Sequence, residues 1–293
     1  MRKIVVLLIS IFVSFSCFAK ITSNSYPFED QEYVYQIYYS DFPNPGYSFR
    51  FSDNILFIDI PEKDDSKQEE GIYIKERIAC NYFLEEKTNC LYLVTETKRF
   101  QVLYYEDLIC ILIDCDNYDT YCGIRKSSQY VNIPNSNKQK NVWIGIEDVN
   151  SSRFIKTSSF LTEKLNGNEI HYNGLNNYMW QIHIPWCEGA KGYGTGEWIQ
   201  KQFFHDGDKI LLLNGYVDPN HPDYYLKNGR IKDVLISTEK GDYIVSLNDS
   251  SQLQLIDLNS EVSGDIKLTI KSVYEGSHYK DTCLSFFCLL VRK

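Results

Sequence analysis

Apolar and polar residues alternate with a period of two over many short stretches of this chain. The clearest case is Ile266, Leu268 and Ile270, which alternate with Lys267 and Thr269. Successive side chains of a strand point to opposite faces, so this pattern is typical of a strand with one buried face. Because the same pattern recurs in both halves of the sequence, we expect an all-β protein.

The first half of the chain predicts a small antiparallel β domain. Apolar stretches recur at about 10-residue spacing, and polar turns such as 61–70 and 85–89 separate them. Short strands at this spacing are typical of a sandwich or a barrel. The predicted strands include Phe49–Phe51, Ile55–Ile60, Ile72–Ile78, Leu91–Thr97, Phe100–Tyr105 and Leu108–Ile113.

The second half predicts a larger sandwich behind a linker. Residues 127–140 are rich in Ser, Asn and Lys and poor in apolar residues, which indicates a linker and a boundary near residue 140. We therefore expect one domain over 20–140, including the linker, and another over 141–293. Eight strands favour a jelly-roll for the second domain. They are Val142–Ile146, Glu197–Phe204, Lys209–Tyr216, Ile231–Thr238, Asp242–Leu247, Gln252–Asp257, Asp265–Tyr274 and Cys283–Val291.

Residues 1–19 predict a signal peptide. Arg2 and Lys3 are followed by the apolar run Ile4–Phe15, which is too short to span a bilayer. Cys17 and Ala19 provide small residues at positions −3 and −1 of a cleavage site. Lipid attachment at Cys17 is the alternative, although the preceding residues lack the usual leucine. Both readings predict an extracytoplasmic protein, periplasmic, secreted or surface-anchored, and no later segment is long enough to span a membrane.

Composition narrows the classes of partner. The chain has 293 residues, and its net charge of −9 argues against nucleic acid, which requires a basic surface. Twenty-three tyrosines and sixteen phenylalanines against two methionines favour strands. Eight cysteines remain after Cys17, and an exported chain meets an oxidising compartment, so disulfides are expected. Cys110, Cys115 and Cys122 lack the paired spacing and the histidine of a zinc site, so no metal is expected there.

The most informative stretch is Trp186–Trp198, WCEGAKGYGTGEW. Asn214-Gly215-Tyr216 follows, then YYLKNGRIK at 224–232 and SVYEGSHYKDTC at 272–283. In this order and spacing the four motifs resemble the NADase-type glycan-binding domain, a discoidin-like (galactose-binding-like) β-sandwich of secreted and surface proteins. The resemblance covers residues 158–291 and does not extend to the first half.

The resemblance implies that the four motif segments converge on one rim of the sandwich. A sugar site needs aromatic faces for its C–H groups and planar polar groups for its hydroxyls. The candidate ligand-binding residues are Trp186, Glu188, Tyr193, Tyr224, Tyr225, Asn228, Arg230, Tyr279 and Asp281. Two alternatives stay open: Trp186 and Trp198 as buried core residues, and Arg230 with Asp281 as a structural ion pair.

One departure concerns metal binding. The family usually has an acidic residue and a glycine shortly before the first tryptophan of the motif, where this chain has Met179-Trp180. Calcium binds hard oxygen ligands, and methionine offers none. No cofactor is therefore expected, and Trp180 is an additional aromatic candidate.

No motif predicts an enzyme. The sequence contains neither H-E-x-x-H nor G-x-S-x-G, its five histidines lack metal-ligand spacing, and nothing identifies the catalytic NADase domain to which such modules are often attached. We expect an exported non-catalytic carbohydrate-binding protein whose partner is a glycan or glycoconjugate, with another envelope or surface protein as a further partner. The alternative is an envelope scaffold or protein-binding adhesin that keeps the sandwich without a sugar site.

Overall fold

The computed structural model describes most of the chain. The described residues are 26–34, 48–62, 73–125, 144–149, 153–165, 167–175 and 181–292. The predictions for the signal peptide, for lipid attachment at Cys17, for the linker at 127–140 and for Met179-Trp180 lie outside these ranges.

The first half forms one nine-stranded antiparallel sheet, in the order β4-β3-β2-β1-β9-β8-β7-β6-β5. Its strands are β1 (Glu32–Val34), β2 (Ser48–Ser52), β3 (Ile55–Glu62), β4 (Tyr73–Asn81), β5 (Phe83–Lys87), β6 (Cys90–Val94), β7 (Arg99–Tyr105), β8 (Ile109–Asp114) and β9 (Thr120–Arg125). The turn expected at 85–89 is shorter than predicted. Only Thr88 and Asn89 turn, both at positive φ, which fits the two-residue hairpin between β5 and β6.

The second half contains an eight-stranded sheet, in the order β10-β19-β15-β18-β16-β17, in which β11 also pairs with β15 and β14 with β19; a parallel pairing of β16 with β19 closes a ring. Its elements are β10 (Ile144–Glu147), β11 (Ile155–Thr157), β12 (Thr162–Leu165), β13 (Asn168–His171), β14 (Trp186–Cys187), β15 (Trp198–Asn214), α1 (Tyr224–Lys227), β16 (Gly229–Thr238), β17 (Gly241–Ser246), β18 (Gln254–Tyr274) and β19 (Thr282–Arg292). The prediction of an all-β protein is confirmed, since α1 is the single short helix within the described ranges.

Two pairs of predicted strands are in fact continuous. The segments predicted at 197–204 and 209–216 form the single strand β15, and those at 252–257 and 265–274 form β18. Pairing between the two long strands continues through register shifts around Gly207. Such a bulge bends a strand without ending it. The polar residues 205–208 therefore resemble a turn in the sequence, although the strand continues through them.

The two sheets share a hydrophobic core. On β19, Phe287, Leu289 and Val291 face the interior of the sandwich, whereas Phe286 and Leu290 face the opposite side. There they join a buried cluster with apolar side chains of the first sheet: Leu103, Ile109, Ile111, Ile113, Cys122 and Ile124. The two halves of the chain therefore form adjoining layers, and the domain boundary near residue 140 stays a prediction.

Candidate functional site

Four motif segments meet at one end of the sandwich. Cys187 on β14 lies directly opposite Cys283 on β19, and the two form a disulfide with a Cα–Cα distance of 4.2 Å. This bond joins the first and the last motif, which are 96 residues apart in sequence. The other cysteines in the described part of the chain form no disulfide: Cys80, Cys90, Cys110, Cys115, Cys122 and Cys288.

Glu188 fastens the glycine-rich loop to the last motif. Its carboxylate is fully buried (0% exposed) and accepts hydrogen bonds from the backbone N–H groups of Ala190, at 2.7 Å, and Thr282, at 3.2 Å. Gly194 has φ +63, and a Cβ there would lie 2.3 Å from the Glu188 carboxyl carbon, so only glycine lets the loop cover this group. Burial raises the pKa of Glu188, whereas the two hydrogen bonds act to lower it and offset only part of the effect of burial. The expectation that Glu188 contacts ligand is corrected, because the loop covers it.

Trp186 is also an internal residue. Its ring is fully buried in the sandwich core, and its indole N–H donates to the Ser159 carbonyl at 2.9 Å. A ring enclosed on both faces cannot stack on a sugar, so its assignment to the ligand surface is corrected in favour of the core alternative. Trp198, by contrast, does not fit the core alternative. Its ring is only half-buried, and the Lys267 Nζ lies 5.8 Å from the ring centroid.

The Asn214-Gly215-Tyr216 motif supports the motif at 224–232. The Asn214 side chain donates to the Ile231 carbonyl at 2.7 Å and accepts from its N–H at 3.0 Å. Gly215 has φ +84, and a Cβ there would lie 2.8 Å from the Tyr225 ring. The glycine therefore permits the ring of Tyr225 to pack against the backbone. Tyr225 is 2% exposed, which corrects its assignment as a ligand-stacking residue.

Tyr225 and Arg230 converge on Asp249, which lies outside the four motifs. The Tyr225 hydroxyl donates to Asp249 Oδ1 at 2.9 Å. Arg230 donates from Nε to Oδ1 at 3.0 Å and from Nη2 to Oδ2 at 2.7 Å, a bidentate pair. This pairing, more than any other interaction, lowers the pKa of Asp249. The alternative of a structural ion pair between Arg230 and Asp281 is therefore wrong, because the guanidinium pairs with Asp249.

The remaining Arg230 nitrogen ties two motif loops together. Its Nη1 donates to the Asn228 carbonyl at 2.9 Å and to the Glu275 carbonyl at 3.0 Å. Asn228 is buried, and its side-chain amide donates to the Tyr224 carbonyl at 3.0 Å. Both assignments to the ligand surface are corrected, since these polar groups are satisfied internally. We call the five buried candidates the inner layer: Trp186, Glu188, Tyr225, Asn228 and Arg230.

The four other candidates reach the surface, and we call them the outer layer: Tyr193, Tyr224, Tyr279 and Asp281. Tyr279 is 43% exposed, and its backbone N–H donates to the Lys227 carbonyl at 2.8 Å, which sets the 277–281 turn beside α1. The Tyr193 hydroxyl donates to the Glu275 carboxylate at 3.2 Å. Its assignment and those of the other three stay predictions.

The ring of Tyr224 is held by its neighbours. His221 stacks on it with a centroid distance of 4.7 Å, and Tyr216 meets it edge-on at 5.1 Å. The Lys227 Nζ lies 5.9 Å from the ring centroid and pairs with the Asp223 carboxylate. Neither His221, which precedes the motif at 224–232, nor Lys227, which lies within it, is among the candidates predicted from the sequence.

Asp281 provides the outer layer with an open acceptor. Its side chain is half-buried, and burial raises its pKa. Within the described residues, no other residue donates a hydrogen bond to its carboxylate, whereas its backbone carbonyl accepts from the Gly229 N–H at 2.8 Å. A half-desolvated carboxylate beside exposed tyrosines is suited to accept hydrogen bonds from ligand hydroxyls.

Among the described residues, no group of three or more His, Cys, Asp or Glu side chains is arranged to hold a metal ion. Within those ranges, no helix has the length and apolar character needed to cross a membrane.

Comparison with known proteins agrees with the motif resemblance. Residues 147–288 match the model of the NAD glycohydrolase translocation F5/8 type C domain, which confirms the discoidin-like jelly-roll of the second half. A lectin domain of lectinolysin complexed with Lewis B antigen is 14% identical, with a TM-score of 0.29, and the match covers 47% of this chain and 91% of that one. A histidine mutant of the same domain complexed with Lewis b gives 14% identity, a TM-score of 0.28, and coverage of 47% and 90%. No curated protein matches the chain.

Proposed function

We propose, from the match of residues 147–288 to the model of the F5/8 type C domain, that this protein is an exported, non-catalytic carbohydrate-binding protein. The outer layer of the rim is the contact surface, and the ligand is a glycan or glycoconjugate on an envelope or host surface. The residues that contact it are Tyr193, Tyr224, Tyr279 and Asp281.

One observation carries the proposal: exposed aromatic rings stand beside an unpaired acceptor on a rigid support. The exposed ring of Tyr279 offers a face of the kind on which the C–H face of a sugar packs, and the half-buried ring of Tyr224, stacked on one face by His221, adds to the same aromatic edge. The Asp281 carboxylate is free to accept from sugar hydroxyls, and Lys227 supplies donors at the same edge. The inner layer holds these groups in place before ligand arrives, which reduces the ordering cost of binding.

The surface is shallow, and this limits the affinity of a single site. Deep pockets cover most of a ligand, whereas a loop surface of this kind covers one side of a sugar ring. We therefore expect modest single-site affinity that depends strongly on the few side chains that stack on or hydrogen bond to the ligand.

Glycan-array binding by the full chain and its Tyr279→Ala variant tests the proposal. We expect the variant to lose about tenfold in affinity or more for the bound oligosaccharides, with an unchanged thermal midpoint. Phe83→Ala is the matched control, because this aromatic residue is 51% exposed on β5 of the first sheet. Equal binding by Tyr279→Ala and the wild type would contradict the proposal.

The two other parts of the proposal have their own measurements. Mass spectrometry of the chain expressed in a secreting host should detect cleavage after Ala19, and an uncleaved cytoplasmic product would oppose export. Turnover of NAD or of oligosaccharides by the purified protein would oppose a non-catalytic role. If no oligosaccharide binds and one envelope protein co-purifies, a protein-binding adhesin is the better description.

A further inference from the structure

We propose that the first sheet and the sandwich together form a second saccharide-binding site, in a groove separate from the rim. The groove lies between the β5–β6 hairpin and the loop 248–252 that leads into β18. Its volume is about 560 Å³, within the range of about 300–1,000 Å³ that is typical of ligand pockets. The side chains that matter here are Tyr26, Glu86, Asn89, Tyr104, Asp249 and Ser250.

Hydrogen bonds between the two layers fix the walls of this groove. Gln252 accepts from the Tyr104 N–H at 2.9 Å and donates to the Val102 carbonyl at 3.3 Å. The Ser251 hydroxyl donates to the Asn89 carbonyl at the turn of the hairpin. All three hydrogen bonds join segments that are about half the chain apart in sequence. The groove therefore exists only where the two sheets meet. Its shape is therefore set before any ligand binds.

One wall is aromatic and ends in a carboxylate. The rings of Tyr26 and Tyr104 meet edge-on with a centroid distance of 6.2 Å, and both are only partly buried. The Tyr26 hydroxyl donates to Glu86 Oε1, which orients this exposed carboxylate at the end of the ring pair. Partly exposed rings beside an acceptor are the combination that a sugar ring requires.

The opposite wall is polar. Asp249 is held by the bidentate Arg230 pair, so its charge is balanced while its side chain stays 36% exposed. Ser250 and Asn89 add hydroxyl and amide groups. A groove with mostly polar walls and few apolar anchors suits a polyhydroxylated ligand better than an apolar peptide, whose binding depends on buried apolar side chains.

Arg230 connects the groove to the rim. Its Nε and Nη2 hold Asp249 at the groove, whereas Nη1 holds the Glu275 carbonyl behind the outer layer. A substitution of Arg230 would disturb both sites at once. The test therefore uses residues that belong to only one of them.

Glu86→Gln and Glu85→Gln form a matched pair of variants for the test. The two residues are adjacent and exposed on β5, and successive side chains of a strand point to opposite faces. Only Glu86 lines the groove. The full chain, both variants and the rim variant Tyr279→Ala are applied to one array of neutral and acidic oligosaccharides, and the bound oligosaccharides are then titrated in solution.

We expect a set of oligosaccharides to remain bound by Tyr279→Ala and to lose about tenfold in affinity with Glu86→Gln, while Glu85→Gln binds as the wild type. Tyr104→Leu, which removes a ring of the groove but keeps an apolar side chain, should weaken the same set. If Glu86→Gln and Tyr104→Leu, both with normal melting, bind every oligosaccharide as the wild type, the groove proposal fails while the rim is unaffected. It also fails if Tyr279→Ala abolishes all binding, if the wild type binds nothing, or if only a peptide binds.

Discussion

The two layers of the rim differ in what their polar groups contact. In the inner layer, the polar side chains bind other groups of the protein: Glu188 bonds backbone N–H groups, and Arg230 bonds a carboxylate and two carbonyls. In the outer layer, Tyr279 is exposed and the Asp281 carboxylate is bonded by no other described residue. Within the same four motifs, the inner-layer side chains thus hold the rim together, whereas the outer-layer side chains reach the solvent.

This difference predicts that substitutions in the inner layer affect stability and that substitutions in the outer layer affect ligand affinity. Loss of an inner group leaves a cavity or an unsatisfied buried partner, so it lowers the free energy of unfolding. Loss of an outer group removes a contact that only a ligand would complete, so it lowers affinity and leaves the fold unchanged. Substitutions in the two layers therefore distinguish residues that stabilise the rim from residues that contact a ligand.

The largest effect is expected for Trp186→Ala. The side chain is fully buried, and its removal leaves a cavity in the sandwich core. We expect a loss of about 4–5 kcal/mol in the free energy of unfolding, measured by urea denaturation. Trp198→Ala is the control and should cost much less, because that ring is half-buried. Comparable losses in the two variants would show that Trp186 is not the core residue.

Removal of the disulfide is expected to cost somewhat less. The Cys187–Cys283 bond closes a long loop, with a separation of 96 residues. The double variant Cys187→Ala/Cys283→Ala should lose about 3–4 kcal/mol, because the unfolded chain gains freedom. The wild type in reducing agent should show the same decrease in its urea midpoint. An unchanged midpoint in the double variant would mean that the bond does not support the rim.

Arg230→Met tests the central ion pair. Methionine keeps much of the apolar stem but leaves Asp249 without its partner and two carbonyls without a donor. We expect a loss of about 2–3 kcal/mol, below the value for a fully buried pair because Asp249 is partly exposed. Asp249→Asn should reproduce most of the loss. If Asp281→Asn destabilises the protein more than Asp249→Asn, the assignment of the partner is wrong.

The smallest effect on stability is expected for Asp281→Asn, which acts on ligand binding. Burial raises the pKa of Asp281, so its carboxylate becomes protonated as the pH falls through a range above the usual value of about 3.9. Affinity for glycan should decrease over that range, because a protonated carboxyl accepts fewer hydroxyl hydrogen bonds.

The ionisation of Asp281 should affect stability in the opposite direction: affinity for glycan rises with pH, whereas the contribution of Asp281 to the free energy of unfolding falls. A raised folded-state pKa contributes stability that is present below the unfolded-state pKa and is lost as the pH rises through the folded-state pKa. Across this range, for the wild type and Asp281→Asn, titration calorimetry measures the affinity for glycan and urea denaturation measures the free energy of unfolding. The variant should bind weakly at every pH and lose the pH dependence. If it keeps the wild-type profile, Asp281 is not the acceptor.

Much of the fold could be predicted from local pattern. The alternation at 266–270 belongs to β18, and the first-half predictions for 91–97, 100–105 and 108–113 correspond to β6, β7 and β8. The shared core between the sheets was missed, although residues 286–291 form an unbroken apolar run. Such a run indicates a strand buried on both faces, and its partner on the other side is not encoded locally.

The rim shows what motif resemblance can and cannot supply. It brought the right segments together, but it did not separate exposed from buried side chains. Tyr224 and Tyr225 are adjacent, and the short helix α1 turns one outward and the other under Gly215. Asp249 was missed as a partner because it lies in a loop outside the four motifs. Pairing across loops depends on tertiary contacts that spacing does not reveal.

The most direct measurement of the rim's role is a map of ligand contacts by backbone amide NMR of the labelled full chain, titrated with an oligosaccharide whose binding on the array is lost with Tyr279→Ala and kept with Glu86→Gln. The account predicts shifts at 224–228 and 276–281 and none along the opposite edge strand β17 at 241–246. Shifts confined to other parts of the chain, including the groove at 86–91 and 249–252, would contradict the rim as the site that binds glycan.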